Sequence, residues 1–208
     1  MENSVDRERV AAAVRELLSA IGSDPDSAEL ASTPFRVADA YSEFFAGVGQ
    51  DPAVFLTDSV PVGDDTGELV LLRDITLRSV CEHHLLPFRG RAHIAYRPGS
   101  RVVGLSALPR VVQSLAARPQ VQERLGEQIA QTLEDGLEPR GVLVVLEASH
   151  GCVSDRGVLQ AEAVTVTVAS RGVFVDPVEQ TAVFALLGAG ASRAADNAGN
   201  TDNGGAVS

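Results

Sequence analysis

Two of the chain's four histidines stand side by side in Cys81-Glu82-His83-His84, and a third lies in His150-Gly151-Cys152. Both cysteines of the sequence therefore fall beside histidines. Thiolate sulfur and imidazole nitrogen are donors that zinc prefers, and a catalytic zinc keeps three protein ligands with a fourth position open to water. Cys81 and His84 offer two ligands from one tight turn, and Cys152 offers a third from a distant segment. A closed structural site would want a fourth ligand, for which His83 and His150 are the nearby candidates. Left unbound, these two become an acid/base pair beside a metal-activated water. A lone cysteine or histidine is more often a packing residue than a ligand. Here the clustering favours a metal site, on a signature less specific than paired C-x-x-C motifs.

These residues need a scaffold to hold them. A length of 208 residues, 45% of them hydrophobic, suits one domain of ordinary size with a helical appendage. The formal charge of -11 and a pI near 4.7 argue against a nucleic-acid surface, which needs a basic face to displace counterions. An anionic ligand must therefore find a local basic pocket. The start of the chain, from Met1 to Glu8, lacks the basic and apolar regions of a secretory signal, and no apolar run approaches the length that crosses a bilayer. The expectation is a cytoplasmic protein whose cysteines are ligands or thiols rather than a disulfide.

Val10, Val14, Leu17, Leu18 and Ile21 fall on one helical face that ends at Gly22. A second helix is expected from Thr33-Pro34, with Thr33 as cap, to Gly47. Residues 48–66, rich in Gly, Asp and Pro, read as a loop. Strands are expected over 69–80 and 91–96, with the first metal half-site in the turn between them. Helices follow from Ser106, as cap, to Ala116 and from Gln120 to Gly136, then strands over 142–149 and 162–170. A last helix starts at Asp176-Pro177 and fades near Leu187. The division expected is a helical extension and loop over 1–66, a catalytic domain over 67–188 and a disordered tail over 189–208. Strand, strand, helix, helix, strand, strand is an α+β order. His93, on a strand with no second ligand type beside it, reads as structural.

Four motifs together carry a resemblance. Cys81-Glu82-His83-His84-Leu85-Leu86-Pro87-Phe88, Gly104-Leu105-Ser106, Arg118-Pro119-Gln120-Val121-Gln122-Glu123-Arg124-Leu125 and His150-Gly151-Cys152 with Arg156-Gly157-Val158 resemble the signatures of GTP cyclohydrolase I, in that family's order and spacing. The resemblance implies the tunnelling fold, an antiparallel sheet with two helices between its strand pairs, joined with neighbours into an oligomeric barrel. It implies a homodecamer with active sites at subunit interfaces. It makes Cys81, His84 and Cys152 ligands of Zn2+ and leaves His83 and His150 for proton transfer. The implied reaction opens the imidazole ring of GTP, releases formate and recloses to 7,8-dihydroneopterin triphosphate. Zinc lowers the pKa of a bound water to about 7, far below that of bulk water. His150 would protonate a purine ring nitrogen and His83 would assist ring opening. Glu123 would accept two parallel hydrogen bonds from guanine, Gln122 would contact base or ribose, and Ser106 would lie near the ribose. Arg110 and Arg156 match phosphate-binding positions, with Arg36 a further candidate.

The chain departs from the family pattern at Ala107, where a lysine commonly contacts the triphosphate. Losing one such contact costs on the order of 1 to 3 kcal/mol. Arg89 or Arg171 could compensate. Two alternatives stay open on the sequence: a paralogue acting on a modified or less phosphorylated guanine nucleotide, and a non-catalytic zinc-stabilised binding protein. The nitrile reductases of queuosine synthesis share the architecture but use a cysteine nucleophile without catalytic zinc, and the Cys81, His84, Cys152 set argues against them.

Overall fold

A computed structural model describes residues 5–63 and 68–198, with the backbone alone over 189–198. The N-terminal extension is a helical pair, α1 (Arg7–Ala20) and α2 (Thr33–Phe44). The Asp6 carboxylate caps α1 by accepting from the Arg9 amide at 3.0 Å. Ser32, rather than Thr33, precedes α2, and no side chain caps that helix. The apolar face expected on α1 is only partly used: Ala11 is its buried residue, while Leu17 and Ile21 are exposed. The long loop contains a 3-10 turn (Pro52–Leu56) and a two-residue strand β1 (Val60–Pro61).

The body is an antiparallel sheet with one short parallel edge. Its strands are β2 (Val70–Cys81), β3 (Pro87–Arg97), β5 (Pro119–Gln120), β6 (Gly141–His150) and β7 (Thr165–Gly172), in the order β5-β2-β3-β6-β7. A second pair joins β1 to β4 (Arg101–Val102). Two helices lie in the chain between the central strands, α3 (Ala107–Ala116) and α4 (Gln122–Leu137). Leu108, Val111, Val112 and Leu115 recur at helical spacing on α3, as do Leu125, Ile129, Leu133 and Leu137 on α4, and all are buried. They pack on the face of the sheet that carries Leu77, Ile94, Val142, Val144 and Leu146. Each such side chain removed from water contributes roughly 1.5–3 kcal/mol. The opposite face is covered in part by α6 (Pro177–Ala198), where Ala95, Leu143 and Val145 meet Phe174 and Val183.

The α+β class and the two helices between strand pairs match expectation. Several boundaries differ, among them that of β7, which spans Thr165–Gly172 rather than 162–170. Strand β3 starts at Pro87, because Val80 pairs with Pro87 and the turn shrinks to 82–86. Ser106 does not cap α3: it has helical backbone angles and its hydroxyl makes no cap bond. Helix α6 continues past Leu187 to Ala198, because alanines propagate a helix whether or not its side chains find a core. The last ten residues expected in the tail, 199–208, lie outside the described residues. Among the described residues no helix is long and apolar enough to cross a membrane.

Candidate metal centre

One end of the sheet brings the chemistry together. Cys81 ends β2, Phe88 stands near the start of β3, and His150 ends β6 opposite Phe88 in the register. The turn between β2 and β3 is closed by the Cys81 amide donating to Leu86 O at 2.8 Å and the Leu85 amide to Cys81 O at 2.8 Å. Leu85 adopts φ 53, in the left-handed region, which turns the chain sharply enough for His84 to face Cys81. After His150, a single helical turn α5 (Gly151–Ser154) carries Cys152 back to the same place. Gly90 lets β3 and β6 approach here, since a Cβ would lie 1.7 Å from the Glu147 carbonyl oxygen.

Donor atoms of Cys81, His84 and Cys152 all lie within 4.8 Å of one another. The Cys81 Sγ to His84 Nδ1 distance is 3.8 Å. Bonds of about 2.3 Å to sulfur and 2.0–2.1 Å to nitrogen in a tetrahedron put such donors roughly 3.5–3.8 Å apart, so the triad fits zinc. Burial first, and then the neighbouring Cys81 sulfur, push the Cys152 thiol up, while Arg156 pulls it down. A thiol that resists deprotonation beside a second sulfur is what a dication relieves. His83 Nδ1 stands 4.0 Å from Cys81 Sγ, but its side chain is 64% exposed and its Nε2 lies 3.8 Å from Glu82. It borders the triad without joining it.

His150 is held on two sides. Its ring stacks on Phe88 with centroids 4.6 Å apart and planes 13° apart, and its Nε2 lies 2.8 Å from Gln122 Oε1. Burial lowers its pKa and so favours the neutral imidazole, while the Glu123 charge acts in the opposite direction. Gln122 is 1% exposed. Glu123, the next residue, is exposed. The start of α4 reaches this end through β5, which pairs parallel with Val80 and Cys81, and through the Glu82 amide donating to Gln120 O at 3.0 Å. Arg124 adds an ion pair to Glu82. The Arg124 guanidinium, by hydrogen bond and charge, holds the Glu82 carboxyl below its usual range.

The remaining sequence candidates are not among the three donors. Arg110, on α3, lines a cavity of about 730 Å³ with Arg78, Gln113 and Phe44, and none of the three metal donors lines it. Ser106, Arg36, Arg89 and Arg156 are exposed. Ala107 is 7% exposed and packs in the core. Arg171 does not stand free to replace a lysine there, because its guanidinium pairs with Glu127 and Glu134. Sequence reasoning missed Phe88 as the platform under His150 and the Glu82–Arg124 pair. Both sit inside the quoted motifs, and their signal was an aromatic and an opposite charge adjoining the ligands.

The model of the family described as GTP cyclohydrolase I matches residues 10–188. The chain belongs to the GTP cyclohydrolase I family. Similar relatives include the GTP cyclohydrolase 1 of Leifsonia xyli subsp. xyli, 57% identical over 90% of this chain and 98% of that protein. The GTP cyclohydrolase 1 of Rhodopirellula baltica is 49% identical over 91% of this chain and 82% of its own. That of Bacillus subtilis is 49% identical over 83% of this chain and 90% of its own. A solved structure of the archaeosine synthase QueF-Like in the apo form aligns with 50% of this chain and 93% of its own at 17% identity. Its TM-score of 0.39 is too low to bear on the fold.

Proposed function

We propose that the protein is a zinc-dependent GTP cyclohydrolase I, which opens the imidazole ring of GTP by hydrolysis and yields 7,8-dihydroneopterin triphosphate and formate, a first step toward tetrahydrofolate and other pterins. The observation that carries the reading is the triad of Cys81, His84 and Cys152 with His150 held beside it by Phe88 and Gln122. Those three residues would hold Zn2+, which when bound supplies a water acidic enough to give a nucleophile at neutral pH. His150 moves protons between water and the purine ring nitrogen, and the exposed His83 assists the later ring opening. Glu123, exposed at the start of α4, accepts the two donors on the Watson–Crick edge of guanine. Arg110 and Arg156 bind the triphosphate, and Ser106, whose hydroxyl is not engaged as a cap, meets the ribose.

A homo-oligomer, on family likeness a decamer with a shared barrel, accounts for Arg110 standing in a cavity apart from the metal donors: it would serve a neighbour's site. The cytoplasm suits a chain with free thiols at the centre of its chemistry. A narrower reading, a substrate with fewer phosphates, is favoured by Ala107 and by the engagement of Arg171.

The test is incubation of zinc-loaded protein with GTP, GMP and guanosine in parallel, following formate and the fluorescence of the oxidised pterin. GTP turnover is expected, with zinc and activity both lost in Cys152→Ala. In His150→Ala zinc is expected to stay while kcat falls by about 10² to 10⁴. Reaction of GMP or guanosine instead of GTP selects the narrower reading, and bound zinc without any turnover selects a binding protein.

A further inference from the structure

Gln122 is a buried glutamine whose two amide ends meet different chemistry. Its Nε2 donates to Leu146 O at 3.0 Å and to Thr165 O at 3.0 Å, and lies 3.2 Å from Thr167 Oγ1. The first two partners are backbone carbonyls, which only accept. Turning the amide over would set Oε1 against two carbonyl oxygens in a buried place, so the orientation is fixed by β6 and β7. Oε1 is then the atom facing His150 Nε2 at 2.8 Å, and an amide oxygen only accepts. The proton between them must belong to His150.

We infer that Gln122 is a positioning residue that locks His150 as the Nε2–H tautomer, so that His150 enters the reaction as a base through Nδ1. The consequence for catalysis rests on the cyclohydrolase reading; the tautomer does not. Phe88 fixes the plane of the ring and Gln122 fixes which edge turns inward. Among the described residues no hydrogen-bond partner stands at His150 Nδ1, which keeps its lone pair. In the reaction a proton leaves water for Nδ1 as the oxygen of that water bonds to the imidazole carbon of the purine. The imidazolium, now protonated on both nitrogens, passes the Nδ1 proton to the purine ring nitrogen and returns to its starting tautomer. No proton is gained or lost by the enzyme over the step. The Gln122 oxygen accepts the same Nε2–H throughout, and its bond strengthens when the ring is charged.

The experiment is magic-angle-spinning NMR of microcrystalline zinc-loaded protein carrying ring-15N histidine, at a pH where imidazoles are neutral, with the His150 signals identified by their loss in His150→Ala. The expected result is a protonated Nε2 and a bare Nδ1. In Gln122→Met, which keeps the length but offers neither acceptor nor donor, the His150 tautomers should mix and kcat for GTP should fall about tenfold or more with KM changed less than about twofold. A His150 protonated on Nδ1 in the unaltered protein overturns the inference, as does a Gln122→Met protein that keeps the Nε2–H signal or keeps kcat. If Gln122→Met does not fold, the tautomer of the unaltered protein still decides. Because the NMR signal needs no substrate, a protein without GTP turnover but with Nε2–H would refute the cyclohydrolase reading and leave the tautomer lock standing.

Discussion

Gln122 and Glu123 are adjacent in the first turn of α4, yet one side chain is buried under the sheet and the other faces solvent. That division turns the buried amide toward His150 and leaves the carboxylate exposed, free for the guanine contact proposed above. Replacing Glu123 by Gln keeps the shape but turns one acceptor into a donor against guanine. A lost charge-assisted hydrogen bond is worth about 1.5–3 kcal/mol, so KM for GTP should rise roughly 10- to 100-fold. Zinc content should stay at that of the unaltered protein, since Glu123 is not among the metal donors. Steady-state kinetics with metal analysis check this, and an unchanged KM would remove Glu123 from recognition. The metal donors were legible in the sequence because few residue types bind zinc and they cluster. The Gln122 bond was not, since nothing in the order of residues tells which way the first turn of a helix points its side chains. Phe88 escaped notice for a related reason: stacking on His150 depends on strand register, which brings Phe88 opposite His150 across β3 and β6.

At the scale of elements, β2 and β3 are held in register by an irregularity that the alternation of apolar residues does not announce. The pairing shifts between Leu72 and Ile75, and Asp74 takes φ 61 there. The Asp74 amide donates to Nδ1 of His93 at 3.1 Å, and its carboxylate pairs with Arg91 at 2.7 Å and lies 3.7 Å from Arg73. His93 is 8% exposed, consistent with the structural role expected of it. Burial lowers its pKa; Glu147 and Asp74 act to raise it, and Arg91 and Arg73 to lower it further. Protonating Nδ1 would set a donor against the Asp74 N–H. With the folded pKa depressed below the ordinary histidine value of about 6.5, the unfolded chain takes up this proton first as pH falls. The stabilisation is complete above that value and is lost as pH falls through the folded pKa. His93→Asn offers an oxygen to the same amide and does not titrate. Between about pH 7.5 and 5.5 the urea midpoint of the unaltered protein should therefore fall more than that of His93→Asn. Parallel curves would mean that His93 carries no pH-dependent load. The strands and the helices α3 and α4 were legible from periodicity, whereas this bulge rests on a side chain acting across two strands.

At the scale of the whole molecule, β7 ends the sheet, and its one strand partner among the described residues is β6. Val166 and Val168 stand exposed on β7 at 56% and 45%, and Val164, just before its start, at 58%. An edge strand with exposed apolar side chains, whose one charge, Arg171, is engaged with Glu127 and Glu134, invites pairing with another chain. Composition gave no hint of this, because exposed valines and buried ones count alike in a sequence. The donor atoms of Cys81, His84 and Cys152 gather within one chain, while Arg110 lies in a cavity they do not line. Zinc binding and GTP turnover should therefore separate when copies are driven apart. Val166→Glu with Val168→Glu places two charges on each copy's edge, and like charges across a desolvated contact disfavour it strongly. Light scattering coupled to size exclusion should give a multiple of the 21.8 kDa chain mass for the unaltered protein and a smaller particle for the double variant. The smaller particle should keep its zinc and lose most of its GTP turnover. A monomeric unaltered protein, or a double variant of undiminished mass, would place the β7 edge outside any assembly and require one protomer to bind the triphosphate alone.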